Sequence, residues 1–265
     1  MNSSDSLIHH RFLSDDEAER LYQTYPELKK PSSKFCPTCG TEKTYIWQGN
    51  VVDCDCAQQL HLYKHYLNAG IGVLYQRLDW TDYKGDQQAA NLGRTYLEGH
   101  KKFVARGLGM LFSGPFGTGK TMVANLILKD LVKQGYRCFG TTFASMISMF
   151  TSGWKSYEEQ QLFESRIKNS QVLLLDDVGK EFKTKTNLAE STFDDVLRTR
   201  IQTGRPTLMT TNMSLADMRE GYGSAVLSLL QETSITHTFQ GNDFREKARD
   251  RALNETLNGE IRPIV

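Results

Sequence analysis

The sequence predicts an α/β fold, a parallel sheet sandwiched by helices, with a small cysteine-bearing domain in front of it. Three observations carry the prediction. From Gly107 onward, short apolar runs alternate with stretches of helical length, the pattern of parallel strands joined by crossover helices. The run Gly114-Pro115-Phe116-Gly117-Thr118-Gly119-Lys120-Thr121 sits between one such strand and one such helix. Four of the five cysteines fall within residues 36–56, well ahead of that run.

Taken in chain order, Leu13-Ser14-Asp15-Asp16-Glu17 reads as a helix start, because Ser14 and Glu17 have capping-box spacing and acids favour the positive end of a helix dipole. Pro26 should end that helix. Between Ser32 and Cys56, short polar turns surround the β-prone runs Thr44-Tyr45-Ile46-Trp47 and Val51-Val52, so a hairpin carrying the cysteines is expected. A helix should follow from Ala57 to about Ala69, before Gly70 and Gly72. Residues 1–65 thus read as a helical, metal-binding domain and 66–106 as a connector. Residues 107–265 read as the main domain.

Within the main domain, Leu108 to Phe112 reads as a strand and Lys120 to about Gln134 as a helix stopped by Gly135. Tyr136 to Thr142 is the next expected strand. Helical stretches follow from Ala144 and near Tyr157 to Lys168, and Val172 to Leu175 has the continuous apolar character of a buried strand. Glu190 to Gln202 reads as helix, Pro206 to Thr211 as strand, and Ile235 to Phe239 as a short strand completing the sheet.

The formal charge of +1 gives no global attraction to nucleic acid, so any such contact must rest on local clusters. No apolar stretch is long enough to cross a bilayer, and Met1 to Arg11 carries no signal-like apolar core. A cytoplasmic protein without a membrane partner is expected. In a reducing compartment, grouped cysteines point to a metal rather than to disulfides.

The glycine run fits the G-x-x-x-x-G-K-[ST] pattern in the strand-to-helix context its mechanism requires. Its glycines let successive backbone N–H groups turn inward, and the following helix adds its positive end, forming a cradle for the phosphates of ATP. Gly114, Pro115, Phe116, Gly117, Thr118 and Gly119 form the loop, Lys120 supplies a point charge, and Thr121 a Mg²⁺ ligand.

Val172-Leu173-Leu174-Leu175 runs into Asp176-Asp177 at the carboxyl edge of a buried strand. Asp176 is the expected magnesium-side acid, and Asp177 the residue that polarises water; a surface turn starting with two aspartates is the alternative. Asn212 follows the strand Thr207-Leu208-Met209-Thr210-Thr211, where its amide can face the γ-phosphate or simply make a turn. Lys120, Asp177 and Asn212 form the expected catalytic set.

Cys36-x2-Cys39 and Cys54-x-Cys56 offer four sulfurs on turn-rich text, which suits a closed, structural tetrahedral Zn²⁺. His61 and His65 lie one helical turn apart, but a solvated helix face explains that spacing better than ligation. Lys180, Lys183 and Lys185, together with Phe150, Trp154 and Lys155, mix charge and aromatic rings in a way suited to phosphate contact and base stacking; a solvated lysine face is the alternative.

With these residues assembled, Gly107 to Asn212 resembles the AAA+ ATPase core of the bacterial and phage replicative-helicase loaders. Leu111-Phe112-Ser113 leading into Gly114–Thr121 is similar to their Walker A strand and loop. Ala69-Gly70-Ile71 and Leu78-Asp79-Trp80-Thr81-Asp82-Tyr83 are similar to their lead-in, and the cysteine module resembles the Gram-positive type of loader. The resemblance implies an AAA+ P-loop sheet without a full helical lid. It implies an ATPase whose amino-terminal domain grips a hexameric replicative helicase, and whose ATP-bound copies assemble around single-stranded DNA. Asp176 and Asp177 match the Walker B acids, although many AAA+ proteins carry Glu at the second position, so slow turnover is expected. Asn212 matches sensor 1, and Arg245 resembles a basic residue near the loaders' carboxyl end.

One departure stands out. Where these loaders place an arginine finger, this chain reads Val226-Leu227-Ser228-Leu229-Leu230, so the finger is missing or another residue such as Arg219 substitutes. An arginine finger is worth roughly 10³ to 10⁵ in rate. Two other functions fit parts of the pattern. A transposition helper ATPase acting on duplex DNA shares the core but usually lacks a cysteine module. A nucleotide-responsive adaptor or inhibitor of a replicative helicase is consistent with the missing arginine.

Overall fold

A computed structural model describes residues 23, 44–47, 50–53, 55–179, 187–258 and 264–265. The expected helix from Ser14, Cys36, Cys39 and Cys54, the side chain of Cys56, and Lys180, Lys183 and Lys185 lie outside the described residues.

The front of the chain contains the expected hairpin. Strand β1 (Thr44–Trp47) pairs antiparallel with β2 (Asn50–Asp53), from Thr44 opposite Asp53 to Trp47 opposite Asn50. Helix α1 (Asp55–Asn68) follows. It ends where Gly70 turns into the left-handed region at φ 68°, with the Gly70 and Ile71 N–H groups donating back to Leu67 O and Tyr66 O, a helix stop that a side chain would oppose.

Residues 66–106 carry more structure than a bare connector. They contain α2 (Val73–Gln76), α3 (Gln87–Glu98) and α4 (His100–Ala105). Asp86 caps α3 by accepting from the Gln88 and Ala89 N–H groups, and Ala89, Ala90 and Tyr96 are buried in the main core. The sequence pattern misses these elements because α2 is a single turn, α4 has six residues, and α3 buries small residues that give little apolar signal.

The main sheet has five parallel strands. They are β3 (Gly109–Ser113), β4 (Cys138–Thr142), β5 (Val172–Val178), β6 (Thr207–Thr211) and β7 (Ser234–Thr238), in the order β4-β5-β6-β3-β7. Crossovers run through α5 (Lys120–Lys133), α6 (Phe143–Ser152), α7 (Tyr157–Phe163) with a π-helical turn at Glu164–Lys168, α8 (Leu188–Gln202) and α9 (Leu215–Thr233). After β7 comes α10 (Arg245–Leu257).

Strand alternation splits the core into two layers. Met110, Phe112, Leu174 and Leu208 face α1, α3 and α5, while Leu111, Leu173, Leu175 and Met209 face Phe143, Phe193 and Tyr222 on the other side. Two further contacts tie distant segments together. The Gly140 N–H on edge strand β4 donates to Ala69 O at 2.7 Å. Ile264 is buried in the first layer, the Val265 N–H donates to Gln76 O, and Tyr66 Oη donates to Val265 O.

Candidate functional site

The loop between β3 and α5 lies beyond the carboxyl ends of the strands. β3 has β6 on one side and β7 on the other, and the chain leaves it for the far edge of the sheet, which opens a crevice where α/β folds place ligands. Gly114, Gly117 and Gly119 take φ of 131°, 73° and 94°. A Cβ on Gly117 would collide with the Asp243 carboxylate. Thr118 Oγ1 pins the loop by donating to Pro115 O at 2.9 Å.

Lys120 opens α5 and is buried. Its ammonium donates to Gly114 O at 2.8 Å, Pro115 O at 2.6 Å and Asn212 Oδ1 at 2.9 Å. Thr121 Oγ1, one residue on, donates to Asp176 Oδ1 at 2.8 Å. The structure therefore brings together Lys120, Thr121, Asp176 and Asn212 from three different strand ends.

Successive strand residues point to opposite faces, yet both carboxylates reach this crevice. The reason is a bulge. Leu175 pairs with Met209 but Val178 pairs with Thr211, so β5 has one residue more than β6 over this stretch, and Asp177 sits at φ 58°. Asn212 Nδ2 lies 3.4 Å from Asp177 Oδ1. Thr210 Oγ1 donates to Asp176 Oδ1 at 2.6 Å and accepts from the Asp177 N–H at 3.0 Å.

Beside the loop lies a cavity of about 350 Å³, with Lys120, Thr121, Asp177 and Asn212 on one side and Leu74, Tyr75, Phe244 and Arg245 on the other. Its volume falls in the range of small-molecule sites. Burial, followed by the charges of Asp176 and Asp177, pushes the Tyr75 phenol up to about 12. The Tyr75 wall is braced from behind by Lys129, whose ammonium donates to Tyr75 O at 3.0 Å, Gln76 O at 3.2 Å and Leu78 O at 2.6 Å. α10 is anchored over the loop through the Phe244 N–H to Gly117 O at 3.0 Å and Arg251 to Asp82 at 3.1 Å.

Sequence reasoning missed Thr210, Tyr75, Lys129, Phe244 and Arg251. Arg245, noted there only as a resemblance, lines the cavity, with its guanidinium 6.0 Å from the Phe116 ring centroid. Arg219 is exposed on α9 and does not line the cavity, while Val226, Leu227 and Leu230 are core residues. Phe150 and Trp154 meet edge to face at 5.6 Å, with Trp154 exposed, beside a separate cavity also lined by Phe163 and Glu164. The expectation of a solvated face at His61 and His65 is corrected for His61, which is buried where α1 packs on the core.

The residues present fit Mg·ATP. The positive-φ glycines leave a side-chain-free hollow at the start of α5, where N–H groups and Lys120 offer donors to phosphate oxygens. The hydroxyl of Thr121 and the carboxylate of Asp176 are hard oxygen donors of the kind Mg²⁺ takes.

Similarity to known proteins bears on the family and the fold. The chain is similar to the replicative helicase loader DnaC of Escherichia coli strain K12, 23% identical over 245 residues that span 88% of this chain and 96% of that protein. Among solved structures, the crystal structure of the DnaC helicase loader superposes with a TM-score of 0.57 at 23% identity, covering 64% of this chain and all of that one. AMPPCP-bound DnaA from Aquifex aeolicus superposes with 0.52 at 19%, covering 69% and 57%. At these identities the structures show a shared AAA+-like fold. The family model for IstB-like ATP binding proteins matches residues 75–252, from the Tyr75 wall to the middle of α10, and over that span, more than half of its length, the chain belongs to the IstB-like ATP binding protein family.

Proposed function

We propose that this protein is an ATP-dependent replicative-helicase loader that binds a hexameric helicase and places it on single-stranded DNA. One observation carries the reading: the similarity to a replicative helicase loader extends over 96% of that protein, not over the ATP-binding core alone. A core match by itself would not choose among the many uses of this fold.

In this reading Gly114–Thr121 holds ATP and Asp176 with Thr121 holds Mg²⁺. Bound ATP and Mg²⁺ supply a hydrolysable triphosphate with its charge partly neutralised. Lys120 binds the phosphates, Asn212 fixes the Lys120 ammonium, and Asp177 orients water at the open side of the cavity. Cys36, Cys39, Cys54 and Cys56 hold a structural Zn²⁺ in residues 1–65, the domain that grips the helicase, with 66–106 leading into the ATPase domain 107–265. Phe150 and Trp154, with Lys180, Lys183 and Lys185, contact the DNA strand in ATP-dependent assemblies of the protein. A cytoplasmic location follows from this role; among the described residues no helix is long and apolar enough to cross a membrane.

The test is to mix the purified protein with the hexameric replicative helicase of its host and to weigh the products by native mass spectrometry, with and without ATP. A defined complex on the hexamer is expected. Absence of a complex under both conditions sinks the loader reading and leaves a duplex-DNA transposition helper as the better one.

A second reading, an adaptor that restrains the helicase, is favoured by the burial of Val226, Leu227 and Leu230 where loaders present an arginine. Turnover separates the two. Helicase and single-stranded DNA should stimulate hydrolysis by a loader, whereas an adaptor blocks unwinding with no gain in turnover.

A further inference from the structure

We propose that a second cleft, at the opposite end of the sheet from the phosphate loop, binds a phosphate-bearing anion. It has a volume of about 460 Å³ and opens between the end of α1, the start of β4 and the π-helical turn. Its polar lining comes from His65, Asn68, Arg137, Ser165, Arg166 and Ser170, with no aspartate or glutamate among the lining residues. The rest of the lining includes the apolar Ala69, Val132 and Phe139, so the side-chain charge facing the cleft is positive.

Neither Arg137 nor Arg166 is ion-paired among the described residues. Arg166 is held at the rim, its guanidinium 5.3 Å from the Phe139 ring centroid. Glu164, on the same turn, and Asp195 are both engaged by Lys168, at 3.4 Å and 2.9 Å.

A third arginine stands behind the wall. Arg200 is fully buried, and its guanidinium donates to the carbonyls of Ile167, Lys168, Ser170 and Pro206 and to the hydroxyls of Ser170 and Thr207. Among the described residues no carboxylate touches it, so its charge is solvated by dipoles but not cancelled. Ser170, which Arg200 holds through its carbonyl and its hydroxyl, also lines the cleft, so this charge lies directly behind the wall. Two arginine forks, an imidazole and two serine hydroxyls around one hollow match the several oxygens of a phosphate better than the two of a carboxylate.

The site is separate from the ATP cavity and does not rest on the loader reading. Two sources share the chemistry, a free phosphate compound and the backbone of a nucleic acid strand. Glu164 lines the aromatic cavity of Phe150 and Trp154, and the next two residues line this cleft, so the two hollows flank one turn.

The experiment is calorimetric titration of the whole protein with pyrophosphate, alongside titration of a labelled oligothymidine over a range of salt. The parent should take pyrophosphate at two sites, Lys120→Ala at the cleft alone, and Arg137→Gln/Arg166→Gln at the phosphate loop alone. If the strand is the ligand, the double variant should also bind oligothymidine about tenfold more weakly, with the salt slope reduced by about 1.4 for two lost contacts. Both arginines are exposed, so ATP affinity and melting temperature should match the parent. Should the double variant misfold, Ser165→Glu, which puts a carboxylate at the exposed rim, replaces it with the same expected loss. Pyrophosphate stoichiometry and oligothymidine affinity both equal to the parent's overturn the proposal.

Discussion

Thr210 Oγ1 on β6 donates a 2.6 Å hydrogen bond to Asp176 Oδ1 on β5, and the same oxygen accepts a 3.0 Å bond from the Asp177 N–H. One hydroxyl thus holds both a carboxylate and the backbone of the bulge that presents its neighbour. Thr210→Val keeps the shape and removes the hydroxyl. It should lower the Mg²⁺-dependent part of ATP affinity about 10- to 100-fold, the usual effect of losing a residue that orients a metal ligand. Binding without Mg²⁺ should be unchanged. Titration of a fluorescent ATP analogue with Mg²⁺ and with EDTA checks this; equal Mg²⁺ dependence in parent and variant removes Thr210 from the account.

Lys120 and Asn212 should separate binding from turnover. Lys120→Ala should abolish useful ATP binding, because its ammonium is the cation held inside the loop, by Gly114 O and Pro115 O. Asn212→Ala leaves the Lys120 ammonium two carbonyl acceptors, Gly114 O and Pro115 O. ATP affinity should then stay within about threefold while hydrolysis falls on the order of 10²-fold. A variant that loses binding and turnover together would show that Asn212 positions the lysine and little else.

Lys129 gives a pH signature. Burial, outweighing the nearby aspartates, lowers its ammonium from 10.5 to about 8. Between about pH 8 and 10.5 the unfolded chain therefore holds more protons than the folded one, and this group's contribution to stability rises with pH across that window. The converse is a cost at neutral pH, when the buried ammonium stays charged. Lys129→Met should flatten the rise in urea midpoint over that window. It should also weaken ATP binding, since three carbonyls behind the Tyr75 wall lose their donor; an unchanged pH profile would contradict the assignment.

The proposed zinc module is tested by metal content. Cys39→Ser should release zinc and impair helicase binding while leaving ATP affinity intact, because the ATP cavity is lined by residues from Leu74 onward. Elemental analysis of the purified variant decides the point, and a metal content equal to the parent's rules out a four-cysteine site.

The phosphate loop, the paired aspartates and Asn212 were legible in the sequence because each is local, a short word at the end of an apolar run. The five-stranded parallel sheet was legible for the same reason, its strands being continuous apolar segments. Thr210 was not, since a threonine inside Thr207-Leu208-Met209-Thr210-Thr211 is what any strand would carry, and its role depends on a partner 34 positions away. Lys129 reads as a solvated helix residue until its three carbonyl acceptors are seen. The bulge at Asp176 and Asp177 arises from pairing between β5 and β6, and no property of either strand alone announces it. The helices of 66–106 escaped because α2 is a single turn, α4 has six residues, and the buried face of α3 is built largely of small residues, Ala89, Ala90 and Gly93.

The bond from Gly140 N–H to Ala69 O has a consequence for how copies of this protein meet. β4 is an edge strand, and unpaired edges invite another chain to add itself to the sheet. Here the chain's own backbone occupies that edge, and Gly70 lies so close to the Gly140 carbonyl that any side chain would collide with it. Association along β4 is therefore blocked at its midpoint, which among the described residues leaves β7, at the other edge of the sheet, as the border that a neighbouring strand could extend. Gly70→Val would push α1 away and convert a guarded border into an adhesive one.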